Sequence, residues 1–275
     1  MAQASSSIES SVILNITPVH SRDYGVSSVR KALELLGCFT PRANTWTLSG
    51  LARAVQMPKS TTHNLLRTLQ EFDLVRQDPR TRSYRLGPRA LELGLTFAKG
   101  TDMLSHARPV LSRLAEASGE TVKLGMLSQG QVLVIAAVES TRQLHTRGDT
   151  GTRWPLHSSS LGKAILSALA PEEAADILSR HGMPRFTQST VTTWPEMQRE
   201  LERIRNRGYA LDLEENEPGV CCVAVPLAGP LSRTVAAISV SGPSVRMRAG
   251  AVDEFARHLM AAARSIARYF DHDIL

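Results

Sequence analysis

Aromatic residues make up only 5% of this chain, cysteines number three, and no apolar stretch approaches the roughly 20 residues that a helix needs to cross a bilayer. Each scarcity excludes something. An odd count made of Cys38 and the adjacent Cys221 and Cys222 forms no disulfide framework and suits a reducing compartment. The opening residues lack a charged segment followed by an apolar run and a cleavage site. The expectation is therefore a cytoplasmic chain with no membrane partner. His145, His157 and His181 lack metal-ligand spacing, and neither a phosphate-cradling glycine loop nor a G-x-S-x-G elbow is present, so no metal, no cofactor and no enzymatic activity are expected. Ser160-Leu161-Gly162-Lys163 does match the S-x-x-K pattern of Ser–Lys acyl transferases, but the partner motifs S-D-N and K-T-G are missing. A Ser–Lys hydrolase stays as an alternative from a different class.

What the chain has is a basic excess confined to one place. The net charge of +6 over 275 residues divides unevenly. Residues 21–90 hold 12 basic and 5 acidic side chains, residues 1–20 hold only Glu9, and residues 91–275 hold 20 of each sign. A compact basic segment on a neutral body is the electrostatic footprint of a nucleic-acid-binding module, because phosphate neutralisation supplies most of the non-specific affinity. A chain of this length accommodates two domains with a core each.

Residues 1–24, polar and serine-rich, read as a flexible tail. From Ser27, the spacing of Val29, Ala32, Leu33, Leu36 and Phe39 predicts an amphipathic helix with a serine cap. A second short helix carries Leu48, Leu51, Ala52 and Val55 behind a cap at Thr47, and Pro58 breaks it. A third runs from about Lys59 to Phe72, turning Leu65, Leu66, Leu69 and Phe72 inward. Its other face, Lys59, Ser60, Thr61, His63, Asn64 and Arg67, mixes groups suited to phosphates and base edges. Residues 74–77 and 82–86 then form a hairpin around Asp78-Pro79, crowded with Arg76, Arg80, Arg82 and Arg85. This order is that of a winged helix-turn-helix over residues 25–87. Lys59, Thr61, His63 and Asn64 are candidates for groove contacts, and Arg67, Arg80, Arg82 and Arg85 for phosphate. Pro88 opens a linker helix over 88–105 that bears Leu91, Leu93 and Phe97. Residues 106–275 read as alternating strands, at 122–127, 132–138, 219–225 and 235–241, and helices, at 161–169, 171–181, 195–206 and 251–270.

Several separate stretches carry a resemblance: Leu51-Ala52-Arg53 with Pro58-Lys59-Ser60-Thr61-Thr62-His63, then Tyr84-Arg85-Leu86-Gly87 and Pro155 through Ala164. Arg207-Gly208-Tyr209-Ala210, Gly219 through Pro226, and Ile238 through Pro243 follow in order. From about Ser27 to the C-terminus the chain resembles the isocitrate-lyase-regulator (IclR-type) family of bacterial transcriptional regulators. The resemblance implies an α+β protein in which residues 106–275 form a GAF-like effector-binding and oligomerisation domain built on an antiparallel sheet. It also implies a double-stranded DNA operator, a homodimer or dimer of dimers, and a small organic acid as effector. Effector contacts then fall on Asp212, Cys222, Ser239 and Ser241, with Ser159, Ser160 and Leu161 from the loop before the Gly-Lys helix. Asn64 stands where the family usually places arginine, and Ser160-Leu161 replaces a smaller pair.

The residues allow more than one reading at these positions. Serines 158–160 serve either as ordinary helix caps or as donors to a carboxylate at a helix N-terminus. Asp212 is a ligand acceptor or a loop cap. Ser239 and Ser241 share one strand face, either for a common task or in solvent. Leu124 and Met126, with Leu161, argue for an apolar or aromatic ligand moiety. The vicinal Cys221-Cys222 leaves a redox-responsive regulator as an alternative.

Overall fold

The computed structural model describes residues 25–41, 43–100, 102–227, 235–247 and 249–270. The expected tail over 1–24 lies outside them. The chain divides into two compact units, residues 1–100 and 101–275.

In the first unit, α1 (Ser27–Gly37), α2 (Leu48–Ala54) and α3 (Lys59–Glu71) precede an antiparallel hairpin of β1 (Val75–Gln77) and β2 (Tyr84–Leu86), and α4 (Pro88–Gly100) follows. Leu35, Phe39, Leu51, Leu66, Leu69, Val75 and Tyr84 form the core. Trp46 pairs with Tyr84 through both backbone hydrogen bonds, which ties the loop before α2 to the hairpin. The α2 cap is the expected one: Thr47 Oγ1 accepts from Gly50 N at 3.1 Å. Thr47→Ala is expected to cost about 1 kcal/mol, seen as an earlier urea midpoint of the full chain by circular dichroism. An unchanged midpoint would mean the cap is not formed in solution.

Three helix expectations need correction. No serine caps α1; its N-cap is Val26, with no side-chain bond. Val29 and Leu33 stand exposed while Leu35 is buried, so the apolar stripe read from Val29 is split between core and surface. Phe72 is also exposed, because α3 ends at Glu71 and the chain turns there.

The second unit is a sheet between helical layers. Its strands are β3 (Thr121–Ser128), β4 (Gln131–Val138), β5 (Arg153–Trp154), β6 (Ala210–Leu213), β7 (Val220–Leu227) and β8 (Ala236–Pro243), ordered β5-β4-β3-β8-β7-β6 and antiparallel throughout. The helices are α5 (Asp102–Ser118), α6 (Ser160–Ala168), α7 (Pro171–His181), α8 (Trp194–Arg207) and α9 (Ala249–Phe270). Period-two alternation separates two faces. Val122, Leu124, Cys221, Val223, Val225, Ile238 and Val240 pack with Leu111 of α5 and Ala256 and Leu259 of α9. Between them in sequence stand Lys123, Gly125, Cys222, Ala224, Ala237, Ser239 and Ser241, and these small or polar residues form the face under α6. Small side chains let α6 approach closely. A Cβ on Gly125 would meet Leu161 Cδ1 at 3.2 Å, and one on Gly162 would meet the Leu156 backbone at 2.4 Å.

Candidate functional site

Two surfaces carry the residues of interest, one in each unit. In the first, α3 shows solvent Lys59, Ser60, His63, Asn64 and Arg67, with Thr61 half-buried. Thr62 is buried instead, its hydroxyl donating to Pro58 O at 3.0 Å. No side chain caps the start of α3, so its first amides remain open to an acceptor. Among the described residues these six side chains make no hydrogen bond or ion pair, which leaves them available to a partner.

The hairpin turn is built by Asp78, whose Oδ1 accepts from Arg80 N at 2.8 Å and Thr81 N at 2.9 Å. Those amides, Thr81 first, hold its carboxyl below the usual range. Arg82 lies in the left-handed region at φ 57°, and its carbonyl is fixed by Gln77 Nε2 at 2.9 Å. The turn therefore carries exposed Arg80 and Arg82, with Arg85 on the adjoining strand. None of the three is paired with an acid among the described residues. Arg76 differs, since Asp73 grips its guanidinium at 2.8 and 3.0 Å. The clustered arginines thus divide into Arg76, held by Asp73, and three without an ion-pair partner among the described residues, of which Arg85 acts on the Asp78 carboxyl at longer range.

In the second unit the register lines up the expected effector residues. Asp212 of β6 pairs with Cys222 of β7, and Cys222 pairs with Ser241 of β8. Ser239 lies one step along the same face, between Ala224 and Lys123. All four are buried, so Ser239 and Ser241 do not face solvent. Among the described residues Ser239 Oγ has no hydrogen-bond partner. The α6 N-terminus meets this face. Ser159 is its cap, accepting from Gly162 N at 3.1 Å and donating to Pro155 O at 2.6 Å. Ser158 donates to Asn216 Oδ1 at 2.9 Å. Ser160 is buried and has no side-chain hydrogen bond among the described residues. Capping thus occupies Ser159 and leaves Ser160 available.

Electrostatics reinforce the picture. Asp212 is 3% exposed, and burial pushes its carboxyl up to about 7 against the amides of Glu215 and Asn216, which it accepts at 2.8 and 3.4 Å. It acts as a loop cap while remaining on the site face. Burial pushes the Cys222 thiol up to about 12 and raises Cys221 as well, so both stay protonated. Lys163, one turn into α6, forms a buried ion pair with Glu215 Oε1, while Glu215 Oε2 has no partner.

Two expectations fail here. Leu124 and Met126 belong to the opposite, α5–α9 side of the sheet and do not line the site. The residue between Leu124 and Val122, Lys123, is the one on the site face, as are Trp154 above it and Asn216 beside Ser158. Sequence reading passed over Lys123 because a lone lysine in an alternating strand ordinarily marks the solvent side.

A winged helix with an exposed basic face, joined to an α/β unit with a buried polar face, defines the class of one-component, DNA-binding transcriptional regulators. Residues 28–79 match the IclR helix-turn-helix domain model and residues 95–268 the bacterial transcriptional regulator IclR C-terminal model. The chain belongs to the IclR family of transcriptional regulators. It is 34% identical over 243 residues to the HTH-type transcriptional regulator BhcR of Paracoccus denitrificans, covering 88% of this chain and 87% of that one. It is 32% identical over 243 residues to the transcriptional repressor IclR of Escherichia coli, covering 88% and 89%. The crystal structure of the IclR-type regulator from Alicyclobacillus acidocaldarius superposes with a TM-score of 0.81 at 26% identity, over 90% of this chain and 99% of that one.

Proposed function

We propose that this chain is a cytoplasmic, homodimeric or tetrameric regulator whose binding to a double-stranded operator is modulated by a small organic acid in the C-terminal domain. The proposed division is a winged helix-turn-helix over 25–87, a linker over 88–105 and an effector domain over 106–275; the linker expected as one helix comprises α4, which ends at Gly100, and the first turn of α5, which starts at Asp102. The observation that carries the DNA reading is that Arg80, Arg82 and Arg85 are exposed without an ion-pair partner among the described residues, in the same unit as the exposed polar face of α3. Lys59, Thr61, His63 and Asn64 are the proposed groove contacts, Arg67 and the three wing arginines the proposed phosphate contacts, and Ser60 a further DNA-binding residue. Ser159, Ser160, Leu161, Asp212, Cys222, Ser239 and Ser241 are the proposed effector contacts.

A second copy fits the exposed apolar residues Val26, Val29 and Leu33 on α1 and Leu91, Leu93 and Leu95 on α4, which are 50–67% exposed in the single chain. A dimer would set two recognition helices on a pseudo-palindromic site, and effector binding would alter their spacing through the segment 88–105. The redox alternative through Cys221 and Cys222 has little support, since both thiols are buried and held protonated. A Ser–Lys hydrolase is disfavoured by the ion pair that engages the Lys163 ammonium with Glu215.

The test is binding to a duplex from the chain's own upstream intergenic region, at several salt concentrations. Arg80→Ala/Arg82→Ala is expected to weaken binding about 10- to 100-fold and to lower the salt slope by about 3 to 4 per dimer, at about 0.9 per lost phosphate contact. Unchanged affinity and slope would remove the wing from the interface.

A further inference from the structure

Lys123 is 7% exposed on the floor of the α6 face, yet no carboxylate lies within ion-pair distance of its ammonium among the described residues. Its contact is the Trp154 ring, 5.3 Å from Nζ to the centroid. Directly across the β3–β8 register stands Ser239, 1% exposed, whose hydroxyl is unpartnered. A buried cation without a counter-charge and a buried hydroxyl without a partner are each unfavourable, and here they are neighbours. Gly125, Ala224 and Ala237 surround them with small side chains on the same face. Burial pulls Lys123 below the ordinary lysine range, and the groups that oppose this from beyond ion-pair distance are the Cys222 thiol, Asp149, Glu217 and Asp212. Burial raises the Asp212 carboxyl to about 7, and among the described residues Lys163, a second buried cation of the α6 layer, is already paired with Glu215.

We infer that Lys123 is the specificity-determining counter-ion of the effector site, pairing with the carboxylate of a mono-anionic organic acid while Ser239 donates to the same ligand. The inference rests on the reading of the C-terminal domain as an acid sensor. It adds the charge that ligand must carry and the residue that requires it. The site supplies one uncompensated positive charge, so a monocarboxylate fits and a neutral isostere does not. Trp154, against which Lys123 already lies, gives the uncharged remainder of the ligand an apolar wall.

The experiment uses the full chain and two variants, Lys123→Met and Lys123→Arg. Melting and calorimetric titration are recorded with monocarboxylates from acetate to benzoate, each beside its neutral amide. At least one acid is expected to bind, its amide to bind at least 10-fold more weakly, and Lys123→Met to lose about 100-fold in affinity while Lys123→Arg keeps part of it. Without ligand, Lys123→Met is expected to melt above the parent chain, because an unpaired buried charge has been removed. An acid that binds the parent and Lys123→Met equally, or no better than its amide, overturns the role of Lys123 and leaves the sensor reading standing. No response of the parent chain to any acid, in melting or in DNA binding, counts against the sensor reading and takes the inference with it. A lower ligand-free melting temperature for Lys123→Met would mean the charge is compensated in the free protein, and would also overturn the proposal.

Discussion

Lys163→Met is expected to destabilise the second unit by about 3–5 kcal/mol at pH 8, the range for removing one partner of a buried ion pair. Lys163 is 1% exposed, and its ammonium meets Glu215 Oε1. Glu215 is fixed from several sides: its amide donates to Asp212 at 2.8 Å, and its carbonyl accepts from Thr190 at 2.6 Å and Thr187 at 3.3 Å. These contacts hold the Glu215 backbone, its side chain is 11% exposed, and its second oxygen already lacks a partner among the described residues. Burial holds the Glu215 carboxyl above its usual range, and the Lys163 charge opposes that rise. Removing the opposition raises it further. The deficit of the variant should then be greatest at high pH and shrink as pH falls and Glu215 takes a proton. Urea unfolding at pH 8 and pH 5 reads this directly. Lys163→Met/Glu215→Leu should recover most of the loss at pH 8, since two apolar side chains need no counter-charge. A single variant as stable as the parent at pH 8 would show that the pair is solvated in solution.

Asp212→Asn is expected to flatten the pH dependence of stability between about pH 4 and pH 7. The folded carboxyl sits at about 7, raised first by burial, whereas an unfolded aspartate titrates near 3.9. A raised folded value means that the folded state holds its proton more tightly. The stabilisation is fully present below the unfolded value and is lost as pH rises through the folded one. Over about 3 pH units the linkage amounts to about 4 kcal/mol. The parent chain should therefore melt lower at pH 8 than at pH 5. The asparagine variant, whose side-chain oxygen still accepts from Glu215 N, should lose most of that difference. Glu215, whose carboxyl burial also raises, contributes to the pH dependence of the parent chain as well, so the difference between parent and variant is the quantity to read. Parallel melting curves for parent and variant across this range would show that Asp212 ionises normally.

The winged helix was legible because its signals are local. Thr47 caps the helix it precedes, Pro58 separates the second helix from the third, and Asp78 folds the turn that displays its own arginine neighbours. The long strands were legible for the same reason, since six to eight alternating residues announce themselves. The two shortest strands of the six-stranded sheet were not: Arg153–Trp154 and Ala210–Leu213 are strands only because Val132–Leu133 and Cys221–Ala224 offer them an edge. The one-sided stripe read from Val29 also failed, because the core takes Leu35 and leaves Val29 and Leu33 outside.

At the effector site the chain by itself determined the pairing of like with like. Period two put Ser239 with Ser241, and the resemblance added Asp212 and Cys222. Tertiary structure decided which way those faces turn. Lys123 and Leu124 are adjacent in sequence, and nothing local says which of them lies on the α6 side of the sheet. That is settled by α6, some 40 residues further on, closing over the small and polar face while α5 and α9 take the aliphatic one. Alternation fixes which side chains lie together along a strand, whereas burial of the polar set depends on distant elements whose packing free energy outweighs the cost of removing a lysine, two serines and an aspartate from water.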